Sequence, residues 1–175
     1  METNPELTRE VLSAQVDSLM INIFRAGSLA LQEAEVHRLV SEEQGSSFEA
    51  VNQRLTELTH EMYGPNVNVT EDNHLRFFSA QQFVNMPHGM ISYTAGALTA
   101  LAVYDLLLEA RANGTAKEFS NQVVEALAAG GGLTPGEFIR KVAGESYDIT
   151  SDEFWERGFK GLKTIVNRLE SLYSN

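Results

Sequence analysis

Residues 86–108, MPHGMISYTAGALTALAVYDLLL, constrain the fold more than any other stretch of this chain. They contain no Lys, Arg or Glu, and Asp105 is their only acid. Wound as a helix, they put apolar or small side chains on every side, which is the pattern of a helix buried all round. The abundance of Gly, Ala, Ser and Thr, soon interrupted by charge, argues against a membrane span. The expectation is a central helix, running from about His88 to Ala112, that serves as the post of a helical domain. Gly96, Ala97, Ala100 and Ala102 would let neighbouring helices approach it closely.

The flanking segments carry helical periodicity as well. From residue 6 to about 43, apolar residues recur at helical spacing: Leu12, Val16, Leu19, Met20, Ile23, Phe24, Leu29, Leu31, Val36, Leu39 and Val40. This predicts one long helix, bent near Gly27 and stopped at Gly45. Ser46 and Glu49 have the spacing of a capping box and open a helix that buries Val51, Leu55, Leu58 and Met62 and ends at Gly64-Pro65. Val67 and Val69 mark a loop with an extended segment, and residues 74–85 predict a short helix with Leu75, Phe78 and Phe83 inward. After Asn113-Gly114, Thr115 with Glu118 predicts a second capping box, and Thr134-Pro135-Gly136-Glu137 a third, opening a short helix over 135–143. The last helix runs from Thr150 to about Tyr173, with Phe154, Phe159, Leu162, Ile165, Val166 and Leu169 inward. Strand-like alternation and internal repeats are missing, so the pattern predicts an all-α fold. It is read as one domain, residues 1–175, with six or seven helices around the buried central one.

Charge and composition exclude several functions. The net charge of −11 argues against nucleic acid and against anionic membrane surfaces, whose phosphates need an excess of Lys and Arg. Without cysteine there is no disulfide, no thiolate metal site and no Cys nucleophile. No charged-then-apolar leader opens the sequence, so the expected compartment is the cytoplasm.

The candidate chemistry is sparse. The four histidines, His37, His60, His74 and His88, share no three- or four-residue spacing. His60-Glu61-Met62-Tyr63-Gly64 has the first half of HExxH, the motif that sets two His on one helix face to grip zinc, but Gly64 takes the second His position. His60 is therefore read as a surface residue. His37, beside Glu33, is read the same way, and Glu33, Glu35, Glu42 and Glu43 as a solvated face rather than a cation site. Gly130-Gly131-Gly132 follows a helix and has no Lys-Ser/Thr after it, so it predicts an interhelix turn rather than a phosphate cradle. These residues alone predict no metal site and no self-sufficient active site.

Two stretches carry a family likeness. Tyr93-Thr94-Ala95-Gly96-Ala97-Leu98-Thr99-Ala100 resembles the Tyr-Ala-Thr-Gly segment near the end of the oligoendopeptidase F family, zinc metallopeptidases related to thimet oligopeptidase. Residues 127–137, LAAGGGLTPGE, are similar to that family's leucine, Gly-Gly, Pro and Glu run, and Val142-Ala143-Gly144 with Tyr147-Asp148 stand where it has Ala-Gly followed by Asp. The last helix, the segment from Phe24 to Glu35 and the Met62-Tyr63-Gly64 turn also resemble family elements, in order along most of the chain.

The resemblance implies the helical C-terminal part of a peptidase catalytic domain, the wall facing the zinc helix across a peptide channel. The family's HExxH and its third ligand, a later Glu, precede the region matched here. The intact family uses zinc; this chain alone is expected to carry no cofactor and to cut no peptide. The family also uses a His and tyrosines to hold the peptide and stabilise the oxyanion. Only Tyr93 keeps its type in a gap-free match, where the His falls on Phe83; allowing a deletion, His88 takes that role. The other reading of Tyr93 and His88 is that they line the core or a vestigial groove. The implied partners are an N-terminal zinc-bearing half supplied in trans, or a peptide. Apolar surface left uncovered would favour a homodimer. The alternative, of a different class, is a stand-alone, non-catalytic helical interaction module.

Overall fold

The computed structural model describes residues 4–42, 47–70, 75–79 and 81–173. The described residues are 82% helical, and no strand occurs among them. In order, the helices are α1 (Pro5–Leu19), α2 (Ala26–Glu42), α3 (Phe48–Tyr63), α4 (Leu75–Ser79), α5 (Gln81–Asn85), α6 (Ile91–Ala112), α7 (Ala116–Ala128), α8 (Pro135–Ala143) and α9 (Asp152–Tyr173). The chain divides into two compact units: a continuous one, Ser18–Ala95, and a discontinuous one, Met1–Asp17 with Gly96–Asn175.

The expected long first helix is interrupted just before Gly27, by a π-helical turn at Met20–Arg25 that joins α1 to α2. A π turn takes up an extra residue and so shifts the phase of everything after it. That shift overturns the inward face read by running one period from Leu12 to Val40. Leu31 and Val40 are exposed, as are Met20 and Phe24, whereas Ser28, Gln32 and Glu33 are buried. In the continuous unit, Leu39 of α2, Val51 and Leu55 of α3, and Phe77 of α4 form the apolar core, with Val36 and Phe83 packed on it. Ser46, the expected cap of α3, lies outside the described residues, as do Gly45, Glu43 and His74; the N-cap is Ser47, whose side chain accepts from the Ala50 N–H. Within the helix expected over 74–85, Leu75–Ser79 and Gln81–Asn85 are helical, and residues 74 and 80 lie outside the described residues. Phe77 is buried in place of Phe78, which stands 48% exposed against the rings of Phe48 and Phe77. Val67 and Val69 sit in irregular chain, not an extended strand.

In the discontinuous unit, Ala102 of α6, Ile139 of α8 and Phe154 of α9 form the core, covered by Phe138, Ala143, Tyr147, Ile149 and Trp155. Of the small residues expected to permit close packing on α6, Ala102 is buried in this core, and the glycines that do so are on α9. A Cβ on Gly158 would lie 2.7 Å from the Leu98 carbonyl oxygen, and one on Gly161 would lie 3.1 Å from that of Leu101. Gly96 has open space around it, and Ala100 is exposed. The glycine face also explains why Phe159 points outward rather than inward.

α6 begins at Ile91, three residues later than expected, because residues 86–90 form a turn in which His88 takes φ +59°. Nor is α6 buried all round: Leu98, Leu101, Ala102, Asp105 and Ala110 face inward, while Tyr93, Gly96, Ala100 and Tyr104 form an exposed stripe. By length and composition α6 could cross a membrane, and 22% of its apolar window is buried.

Two capping expectations separate. At Thr134 both halves of the box form: its hydroxyl accepts from the Glu137 N–H, and the Glu137 carboxylate accepts from the Thr134 N–H at 2.7 Å. At Thr115 no side-chain cap forms, because the hydroxyl and the N–H both turn back to the Ala110 carbonyl oxygen that ends α6. Gly130–Gly132 is a single tight 3-10 turn with Gly130 at φ +54°, where a side chain would be strained.

Candidate functional site

The continuous unit holds a half-open cavity of about 520 Å³, within the range of small-ligand sites. Its wall combines apolar Ile21, Leu29 and Met90 with polar Gln32, Gln82 and Arg25, and with the rings of Tyr63 and Tyr93. Three features of the sequence build it. The π turn places Ile21, Asn22 and Arg25 on the rim. The phase shift then turns Ser28 and Gln32 of α2 inward, where Gln32 Nε2 donates to Thr59 Oγ1 at 2.9 Å and Thr59 Oγ1 donates to the Leu55 carbonyl at 2.7 Å. That chain fixes a polar floor on two helices. Finally, Thr94 ties the first turn of α6 to the π turn. Its Oγ1 donates to the Asn22 carbonyl at 3.1 Å, over Gly27, where a Cβ would come 3.4 Å from the Thr94 hydroxyl. Thr94, Gln32 and Thr59 were not singled out by the sequence pattern; the one signal was a run of polar residues at helical spacing in α2 and α3.

Of the two residues proposed from the sequence, Tyr93 lines this cavity, 46% exposed, while His88 does not. His88 lies in the turn before α6, its ring 4.6 Å from that of His37 between centroids. Its backbone N–H donates to Glu33 Oε1 at 2.7 Å. Glu33 is therefore not part of a solvated face. It is 3% exposed, and its Oε2 is buried with no hydrogen-bond partner. The neighbouring Glu35 is part-buried and is paired instead. Arg38 at 2.9 Å and Arg54 at 3.1 Å hold its carboxyl down at about 2, well below the usual value of 4.5. His60 is exposed on α3, and Glu61 beside it pairs with Arg54 at 3.1 Å.

The discontinuous unit also buries charge, but closes it off. Asp105, 6% exposed, meets Arg157 at 2.8 Å and Lys160 at 2.9 Å. Arg157 in addition donates to Glu109 at 2.9 Å and to the Tyr147 hydroxyl at 2.7 Å, which holds its guanidinium charged despite partial burial. Both Asp105 carboxylate oxygens are met by cations, so the set reads as a structural clamp.

The described residues are all-α, and the continuous unit holds an amphipathic cavity. No protein-family profile, curated protein or solved structure matches this chain.

Proposed function

We propose that this chain is a helical peptide-binding module related to the C-terminal part of oligoendopeptidase F-like peptidases, and that it is not catalytic by itself. The carrying observation is the placement of Tyr93. The residue that keeps its type in the family likeness stands half exposed on the wall of a 520 Å³ cavity. Around it are a guanidinium, Arg25, and two carboxamides, Gln32 and Gln82, with Met90 and Leu29 as apolar surface. Such a wall suits an extended peptide: donors for its carbonyl or carboxylate oxygens, and apolar patches for alternate side chains. The non-catalytic part rests on the sequence, which contains no HExxH, and on the exposed His60-Glu61 fragment, whose carboxylate pairs with Arg54.

Fluorescence anisotropy with a labelled ten-residue peptide bearing a free carboxylate tests this reading. Saturable binding is expected, weakened about tenfold or more by Tyr93→Ala and by Arg25→Ala, as for a central anchor. Binding that ignores both substitutions, or no binding at millimolar protein, would overturn it. Chelator-sensitive cleavage of the same peptide after zinc addition would overturn the non-catalytic part alone.

A further inference from the structure

We propose that Glu33, His37 and His88 form a binding site for a divalent transition-metal ion of the zinc type. Glu33 and His37 lie four residues apart on α2 and so share one face of the helix. His88 comes from the turn before α6, 55 residues further on from Glu33. One donor atom of each residue lies within 4.8 Å of the others. The second, independent observation is the orphaned carboxylate oxygen. Glu33 is nearly fully buried, its Oε1 is occupied by the His88 N–H, and its Oε2 has no partner. A buried carboxylate oxygen left without a proton donor or cation is costly, and the groups beside this one are two imidazoles.

The donor set decides the class of ion. Two imidazole nitrogens and one carboxylate oxygen suit Zn²⁺ and the later first-row divalent ions. Ca²⁺ and Mg²⁺ require shells built from oxygen. Bonds of about 2.0–2.2 Å would bring the donors to roughly 3.3 Å from one another. Both histidines are exposed, so their rings can rotate to close that difference, while the buried carboxylate stays fixed. The His88 N–H is the outer-shell contact that orients the carboxylate and leaves Oε2 free for the ion. Three protein donors leave one tetrahedral position for water.

This site is independent of peptide binding in the cavity, since the ion alone is the probe. The test is a titration of untagged, chelator-stripped protein with Co²⁺, followed by visible absorption and then by displacement with Zn²⁺. One tightly held ion per chain is expected, with a tetrahedral cobalt spectrum. His37→Asn and His88→Asn should each weaken it by about tenfold or more. Asn tolerates the positive φ at position 88, so the turn is preserved. Glu33→Gln keeps an acceptor for the His88 N–H and should also lose the ion. His60→Asn should change nothing. No binding at millimolar Co²⁺, or binding indifferent to both His37→Asn and His88→Asn in variants with unchanged circular dichroism, would overturn the site.

Discussion

The two units treat a buried acid in opposite ways. In the discontinuous unit, Asp105 is met by Arg157 and Lys160, and Arg157 is further fixed by Glu109 and Tyr147. In the continuous unit, Glu33 is buried to a similar depth with a backbone N–H on one oxygen and nothing on the other. The contrast extends to the surroundings. The discontinuous core is apolar and aromatic, drawn tight by Gly158 and Gly161 against α6. The continuous unit buries Ser28, Gln32, Glu33 and Thr59 beside a cavity. Satisfied polar groups stabilise, whereas unsatisfied ones and open volume cost stability and persist where a ligand completes them. On the function proposed above, the discontinuous unit would be scaffold and the continuous unit the binding part.

The largest expected effect tests the scaffold. Phe154 is 1% exposed at the centre of the discontinuous core, and Phe154→Ala should cost about 3–5 kcal/mol, read as a fall in the urea midpoint. A loss below about 1 kcal/mol would mean that this core is loosely packed and the contrast unfounded. Next comes the clamp. Asp105→Ala removes the close partner of Arg157 and Lys160 and should cost about 2–3 kcal/mol, toward the low end for broken buried pairs because Glu109 and Tyr147 still hold Arg157 and Glu109 stays within 3.9 Å of Lys160.

The corresponding change in the other unit should have the opposite sign. Glu33→Gln removes a buried charge that has no cation and keeps the acceptor for His88, so metal-free stability should stay level or rise by up to about 1 kcal/mol. Thermal unfolding in the presence of chelator measures this. A large loss would show that the carboxylate has a partner in solution and would erase the contrast between the units.

The smallest effect concerns pH. The Glu35 carboxyl titrates lower when folded, near 2, than its usual 4.5, because Arg38 and Arg54 stabilise the charged form. Its contribution is complete above pH 4.5 and is lost as pH falls toward 2. Urea midpoints across that window should fall less steeply in Glu35→Gln than in wild type. Glu137 and Asp148, also lowered by hydrogen bonds from Thr134 and Thr150, account for a further part of the slope. An identical slope in Glu35→Gln would show that the Glu35 pairs add nothing in solution, as many exposed ion pairs do.

Much of the fold is legible in the residues because helices are made of local contacts. The helical periods, the Thr134–Glu137 box, Pro135 at the first helical position and Gly144 at the end of α8 all involve groups within a few residues of one another. The readings that needed correction involve distance. The inner face of α2 depends on a π turn whose cost is met by contacts such as Thr94 on the Asn22 carbonyl, 72 residues away. Thr115 has the right spacing for a box, but the Ala110 carbonyl competes successfully for its hydroxyl. Tyr93 could be named from the sequence, whereas its neighbours on the cavity wall come from four other helices, the π turn and the turn before α6.

By itself, then, the sequence determined an all-α chain, most of its helix limits, and the absence of thiol chemistry and of HExxH, since local hydrogen bonding, side-chain periodicity and residue identity decide these. The tertiary structure alone decided that α2 turns Gln32 and Glu33 inward, that α9 rather than α6 supplies the close-packing glycines, and that Glu33, His37 and His88 converge. A phase shift of one residue, or a contact across 55, leaves no periodic trace in a linear pattern. It is set only when packing fixes which face of each helix is removed from water.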